Sequence, residues 1–166
     1  MQIANIKIRL LCLCMIVGAG FLLGPFPGRH AALPASPRIE TMAMAELKRY
    51  MASGQGINLL FFTAAWCGHC KTMLPTLNRL YRRFHETGLE LMGISIDAGG
   101  PSAMQHVLDE KQVDFPVFWV GETAVDEFRL FGIPMIFLIK NGRLVEKIPG
   151  TCSYAVLEAK ILDLIK

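Results

Sequence analysis

The residues from Ile57 to Thr63, Ile-Asn-Leu-Leu-Phe-Phe-Thr, form a nearly unbroken apolar run entered from a turn holding Gly54 and Gly56. A strand of this composition has no polar face to give to water, so it must lie inside a sheet covered on both sides. A helix follows almost at once. Met73, Leu74, Leu77, Leu80, Tyr81 and Phe84 recur at helical spacing, with Lys71, Arg79, Arg82 and Arg83 largely on other faces, and Gly88 stops the run. Pro75 lies inside this helix and is expected to bend it. A buried strand leading straight into an amphipathic helix places the chain in the α/β class.

The rest of the chain extends the pattern. A helix is expected over Thr41–Tyr50, a second strand over Leu89–Ile96, a helix opened by Pro101, and a third strand over Phe115–Val120. Thr123 and Asp126 resemble a capping box for a short helix through Leu130. Met135–Ile139 and Leu144–Ile148 flank Lys140-Asn141-Gly142-Arg143, a hairpin signal, and a last helix starts at Ser153. Strands alternate with helices until the hairpin, so the sheet must be mixed, with helices on both faces.

The N-terminus is different in kind. Lys7 and Arg9 precede an uncharged run from Leu10 to Phe26, most apolar from Leu10 to Leu23, which reads as a signal peptide or an N-terminal membrane anchor over residues 1–23. The poorly formed cleavage site tilts this toward a retained anchor. Residues 24–40 carry Pro25, Pro27, Pro34 and Pro37 and read as a linker, leaving residues 41–166 as one domain. Of the 17 Lys and Arg residues, Lys7, Arg9 and Arg29 fall in the first 37, where there is no acid. The domain itself is neutral, which gives no polyanion a surface to bind and excludes a charge-driven nucleic-acid partner.

The chemistry concentrates at Trp66-Cys67-Gly68-His69-Cys70, where the buried strand gives way to the helix. Cys67 at the helix start faces unpaired backbone N–H groups and the positive end of the helix dipole, both favouring thiolate over thiol. A protonated His69 would add a cation, and Trp66 would pack beside the pair. Cys70, one turn on, is close enough to close a disulfide and is expected to be less exposed. Thiol–disulfide exchange needs this asymmetry: Cys67 attacks a partner and Cys70 resolves the mixed disulfide. A zinc site would need two further ligands at suitable spacing, and the chain has no second CxxC and no HxxxH. The nine Met residues sit mainly at core spacing rather than in a copper-binding pattern. Cys152 is the odd thiol, read as a small buried residue near the N-cap Ser153.

The strand, the WCGHC motif, the helix with Pro75 and the Gly132-Ile133-Pro134 loop before another strand resemble the thioredoxin-fold oxidoreductases over about residues 41–166. The extra helix and strand between Asp97 and Val120, together with export and tether, resemble the membrane-anchored, extracytoplasmic TlpA/ResA-like group. The resemblance implies a thioredoxin fold with a helix–strand insertion, and a redox-active Cys67–Cys70 disulfide needing no metal or organic cofactor. It also implies a cis-proline loop in which Ile133 and Pro134 hold the substrate chain. Met135, where many members have Thr, would add an apolar contact. In the fold the loop bearing Cys152 lies near the active site, so that thiol could compete in exchange.

Two acids found in relatives are missing: Phe61 replaces a buried Asp six residues before the first cysteine, and Met73 replaces a Glu three residues after the second. The implied function is exchange of disulfides with protein cysteines in the bacterial periplasm or at the cell exterior, with a membrane thiol as electron donor or acceptor. Reduction, as in cytochrome c maturation, is the expectation from the group. The Gly-His dipeptide favours a disulfide oxidase or isomerase. A metal-handling module holding copper or zinc through Cys67, Cys70 and His69 is the alternative from another class.

Overall fold

The computed structural model describes residues 36–53 and 55–166. The expected leader, residues 1–23, and the linker as far as residue 35 lie outside the described residues. The elements run β1 (Glu40–Thr41), α1 (Met44–Ser53), β2 (Ile57–Thr63), α2 (Gly68–Phe84), β3 (Leu89–Ser95), α3 (Pro101–Lys111), β4 (Val117–Trp119), α4 (Ala124–Glu127), β5 (Met135–Lys140), β6 (Arg143–Pro149) and α5 (Tyr154–Ile165).

They form one six-stranded mixed sheet in the order β1-β4-β3-β2-β5-β6. β1, β4, β3 and β2 are parallel, and β5 runs antiparallel to both β2 and β6. Every residue of β2 is buried. Successive strand residues point to opposite faces, so both faces of the sheet are covered at its centre. The steps from β2 to β3 and from β3 to β4 cross the sheet in one sense, and the step from β1 to β2 crosses it in the other. Right-handed crossovers therefore put α2 and α3 on one face and α1 on the opposite one. α4 lies on the α1 side, where Lys48 pairs with Glu127 at 2.5 Å. Phe62, Phe128 and Phe137 pack beneath it with ring centroids 4.8–6.1 Å apart.

The insertion expected between Asp97 and Val120 is α3 and β4, and β4 sits between β1 and β3. The domain begins earlier than residue 41. Ser36 Oγ donates to the Leu108 carbonyl at 2.8 Å, Ile39 N–H donates to Gln105 Oε1 at 2.8 Å, and Glu40 and Thr41 pair with Phe118 and Trp119. The end of the expected linker is thus part of the sheet edge. A two-residue strand carries no alternation of its own, and its partner fixes it. The first helix accordingly starts at Met44 rather than Thr41. The capping box at Thr123 does not form, because Thr123 is already in helical conformation (φ −59°, ψ −18°) and its side chain bonds no helix N–H.

The β5–β6 hairpin has the expected two-residue turn, Asn141 and Gly142, with φ of 50° and 73°. Positive φ at both central residues is what the strand twist demands, and Asn-Gly supplies it. Asn141 also ties this turn to the entry of β2: its N–H donates to the Gly56 carbonyl at 2.9 Å, and its Oδ1 accepts from Gly56 N–H at 3.0 Å. A Cβ on Gly142 would lie 2.3 Å from the Ala52 carbonyl oxygen, whereas one on Gly99 would meet nothing within 4 Å. Gly142→Ala is therefore expected to destabilise the domain by about 1–3 kcal/mol. Gly99→Ala is expected to stay near the parent, both read by chemical denaturation.

Candidate active site

β2 ends at Thr63, and four residues carry the chain from the sheet to the first residue of α2. Ile96 N–H donates to the Thr63 carbonyl at 3.0 Å, extending the parallel ladder one step, and Cys67 N–H donates to the Ala64 carbonyl at 3.1 Å, closing a tight turn. Cys67 is the N-cap of α2, and its Sγ accepts from Cys70 N–H at 3.1 Å. A sulfur thus fills the position that a Ser or Asp oxygen usually takes at a helix start, where the dipole favours negative charge.

Cys67 and Cys70 are joined as a disulfide, with their Cα atoms 5.2 Å apart. Cys67 keeps 6% of its surface exposed and Cys70 none. Only the first sulfur can meet a partner from outside.

His69 is exposed, and its side chain takes no hydrogen-bond partner among the described residues. Trp66 stands out at 70% exposure and forms one wall of a mainly apolar hollow of about 470 Å³, whose lining also includes Ile96, Val125, Leu130, Phe131 and Ile133. That hollow joins the cysteine loop to the Gly132–Pro134 loop. The Ile133–Pro134 peptide is cis. The Pro134 carbonyl accepts from Gly150 N–H at 2.8 Å, while among the described residues neither the N–H nor the C=O of Ile133 has a partner. An extended segment laid beside Ile133 would find one donor and one acceptor there.

Met135 is 1% exposed and paired with Phe62 in the sheet, so its side chain belongs to the core and offers a substrate no apolar contact. The apolar contact was implied by the resemblance alone; Met135 was already expected to open a strand, and it is the first residue of β5.

Cys152 is half-buried against the core. Burial pushes its thiol above the ordinary range, with nearby Lys160 acting in the opposite sense. Among the described residues no group of three or more His, Cys, Asp or Glu is arranged to hold a metal.

One participant escaped the sequence reading. Asp97, just past β3, is 3% exposed, and both its carboxylate oxygens accept from Ala65 N–H, at 3.0 and 3.1 Å. Ser95 Oγ donates to Oδ2 at 2.8 Å. In the sequence Asp97 stands before Ala98-Gly99-Gly100 and reads as a turn residue. Its place after a run of apolar strand residues was the available signal.

This architecture, with a cysteine pair at the strand-to-helix junction facing a cis-proline loop, is the thioredoxin-like fold. A protein proposed as the thiol:disulfide interchange protein DsbE of Chlorobium tepidum superposes with a TM-score of 0.64 at 21% identity, covering 80% of this chain and 96% of that one. The thioredoxin domain of a Bacteroides vulgatus thiol-disulfide oxidoreductase gives 0.59 at 19% identity, covering 78% and 96%. The sequence model of the AhpC/TSA family matches residues 36–148, and the chain belongs to that family. The thiol-disulfide oxidoreductase ResA of Oceanobacillus iheyensis is 31% identical over 113 residues, which is 67% of this chain and 58% of that protein. The chain thus spans less than two thirds of that relative's length.

The raised thiol of Cys152 has a measurable consequence. With the Cys67–Cys70 disulfide closed, iodoacetamide labelling of the Cys152 peptide, followed by mass spectrometry, is expected to be slow at pH 7. Its midpoint should lie above that of a free cysteine peptide measured alongside, because only the thiolate reacts. A midpoint at or below that of the free peptide would contradict the burial argument.

Proposed function

We propose that the chain is an extracytoplasmic thiol:disulfide oxidoreductase that reduces disulfides in exported proteins, the cysteines of cytochrome c apoproteins among them. The observation that carries this reading is the asymmetry of the pair: Cys67 caps a helix N-terminus and reaches the surface, and Cys70 behind it does not. The ResA and DsbE relatives support it by the activity their names state.

In the reduced protein, Cys67 as thiolate attacks one sulfur of a substrate disulfide. The other substrate sulfur leaves as a thiolate and takes a proton from water. Cys70 then gives up its proton and attacks the Cys67 sulfur, the second substrate sulfur leaves, and the substrate departs as a dithiol. Two electrons have moved to it, and Cys67–Cys70 is the disulfide seen here. A dithiol donor must return two electrons before another cycle, and a membrane thiol protein is the donor we assign. Ile133 supplies the backbone donor and acceptor for the substrate chain, and Trp66 gives it an apolar wall beside the cysteine loop.

The apolar run from Leu10 to Leu23 supports tethering to the membrane, with the domain on the outer side. Among the described residues no helix is long and apolar enough to cross a membrane. The reductive direction is supported by the resemblance to the ResA group, while the Gly-His dipeptide favours an oxidising pair.

Two measurements test this. Cys70→Ala is expected to accumulate DTT-sensitive adducts through Cys67 when expressed with its export segment, and their absence would refute the exchange chemistry. The equilibrium potential against glutathione is expected nearer the about −270 mV of thioredoxin than the about −120 mV of the strongest oxidant. A value near the upper end would make the protein an oxidase or isomerase instead.

A further inference from the structure

We propose that Asp97 is the positioning residue of the redox site, holding through Ala65 the turn that sets Cys67 at the start of α2. The backbone ladder between β2 and β3 makes its last bond from Ile96 N–H to the Thr63 carbonyl. Beyond it the chain leaves the sheet, and Ala65 N–H has lost any strand neighbour. The Asp97 carboxylate takes that N–H with both oxygens, and Ser95, itself fully buried, fixes the carboxylate from the other side. Trp119 Nε1–H donates to the Asp97 carbonyl at 2.7 Å, so β4 clamps the same residue by its backbone.

A carboxylate this deeply buried is tolerated only when donors surround it. Here the donor that comes from outside its own strand is Ala65, two residues before the attacking cysteine. The turn it anchors ends with Cys67 N–H on the Ala64 carbonyl, and Cys67 Sγ then lies 3.1 Å from Cys70 N–H. Losing the anchor leaves Ala65 N–H unpaired and frees the turn, so Sγ no longer sits on the helix N–H groups that favour its thiolate. Asp97 touches neither sulfur in this account. It acts through Ala65, and an amide should therefore replace it: Asn at this position can accept from Ala65 N–H with its oxygen and donate to Ser95 Oγ with its nitrogen.

The inference rests on the exchange reading only in taking Cys67 as the attacking sulfur. The test uses the reduced full-length protein. It follows the iodoacetamide reactivity of the Cys67 peptide against pH by mass spectrometry, with no partner protein needed. Asp97→Ala is expected to raise the midpoint pH and to slow labelling at pH 7 about tenfold, the loss of one hydrogen-bonded anchor. Asp97→Asn is expected to keep most of the parent rate, and Ser95→Ala to shift it in the same direction as Asp97→Ala but by less. A parent-like profile in Asp97→Ala overturns the proposal. So does an Asp97→Asn profile as impaired as that of Asp97→Ala, because charge and not geometry would then be at work. If Asp97→Ala does not fold, the other two decide: Asp97→Asn must stay parent-like and Ser95→Ala must not. An absence of adducts with Cys70→Ala alongside a normal outcome here would refute the exchange reading and leave the positioning role standing.

Discussion

Everything at this site depends on β2 being buried on both faces up to its last residue and then stopping. A strand covered on both sides cannot fray or drift, so the point where the chain leaves the sheet is as fixed as the core. The helix that follows must begin within a few residues, because α2 has its own apolar face to cover. Its N-terminus consequently projects from the carboxyl end of a central strand, where open α/β sheets place their chemistry. The sequence puts a cysteine at that N-cap, so the sulfur inherits the electrostatics of the helix terminus, with the first turn of α2 directly behind it.

Opposite that sulfur, β5 is held in register against β2, and the residues just before it are delivered to the same end of the sheet. Pro134 is secured by the bond from Gly150, and Ile133 has a partner for neither backbone group among the described residues. Trp66 and Phe131, the two most exposed large apolar side chains among the described residues, rim the hollow between the loops at 70% and 82% exposure. Both cost solvation where they stand, and a bound chain would cover them. The rigid centre and the adhesive rim thus come from different parts of the sequence, joined only by strand pairing.

Most of this was legible in the residues because it rests on local signals. The run Ile57–Thr63, the Asn141-Gly142 turn and the WCGHC motif each specify their own conformation, and a mixed sheet covered by helices follows once they are placed. What escaped was determined by partners distant in sequence. Glu40–Thr41 is a strand only because β4 lies beside it, and the capping box at Thr123 lost to a chain already helical there. Met135 was rightly expected to open a strand, but that its side chain turns into the core is set by its pairing with Phe62. Asp97 looked like a turn residue because its carboxylate serves a chain segment 32 positions away, and no periodicity within one strand reports that.

The burial of Cys70 has a kinetic side. Phe61 and Met73, the positions at which the resemblance would place a carboxylate, are exposed by 0% and 2% and carry none. Neither side chain can receive a proton from Cys70, which is itself fully buried. In the exchange cycle proposed above, the two steps therefore call on unlike surroundings: the first sulfur sits at a helix terminus at the surface, and the second lies inside the core.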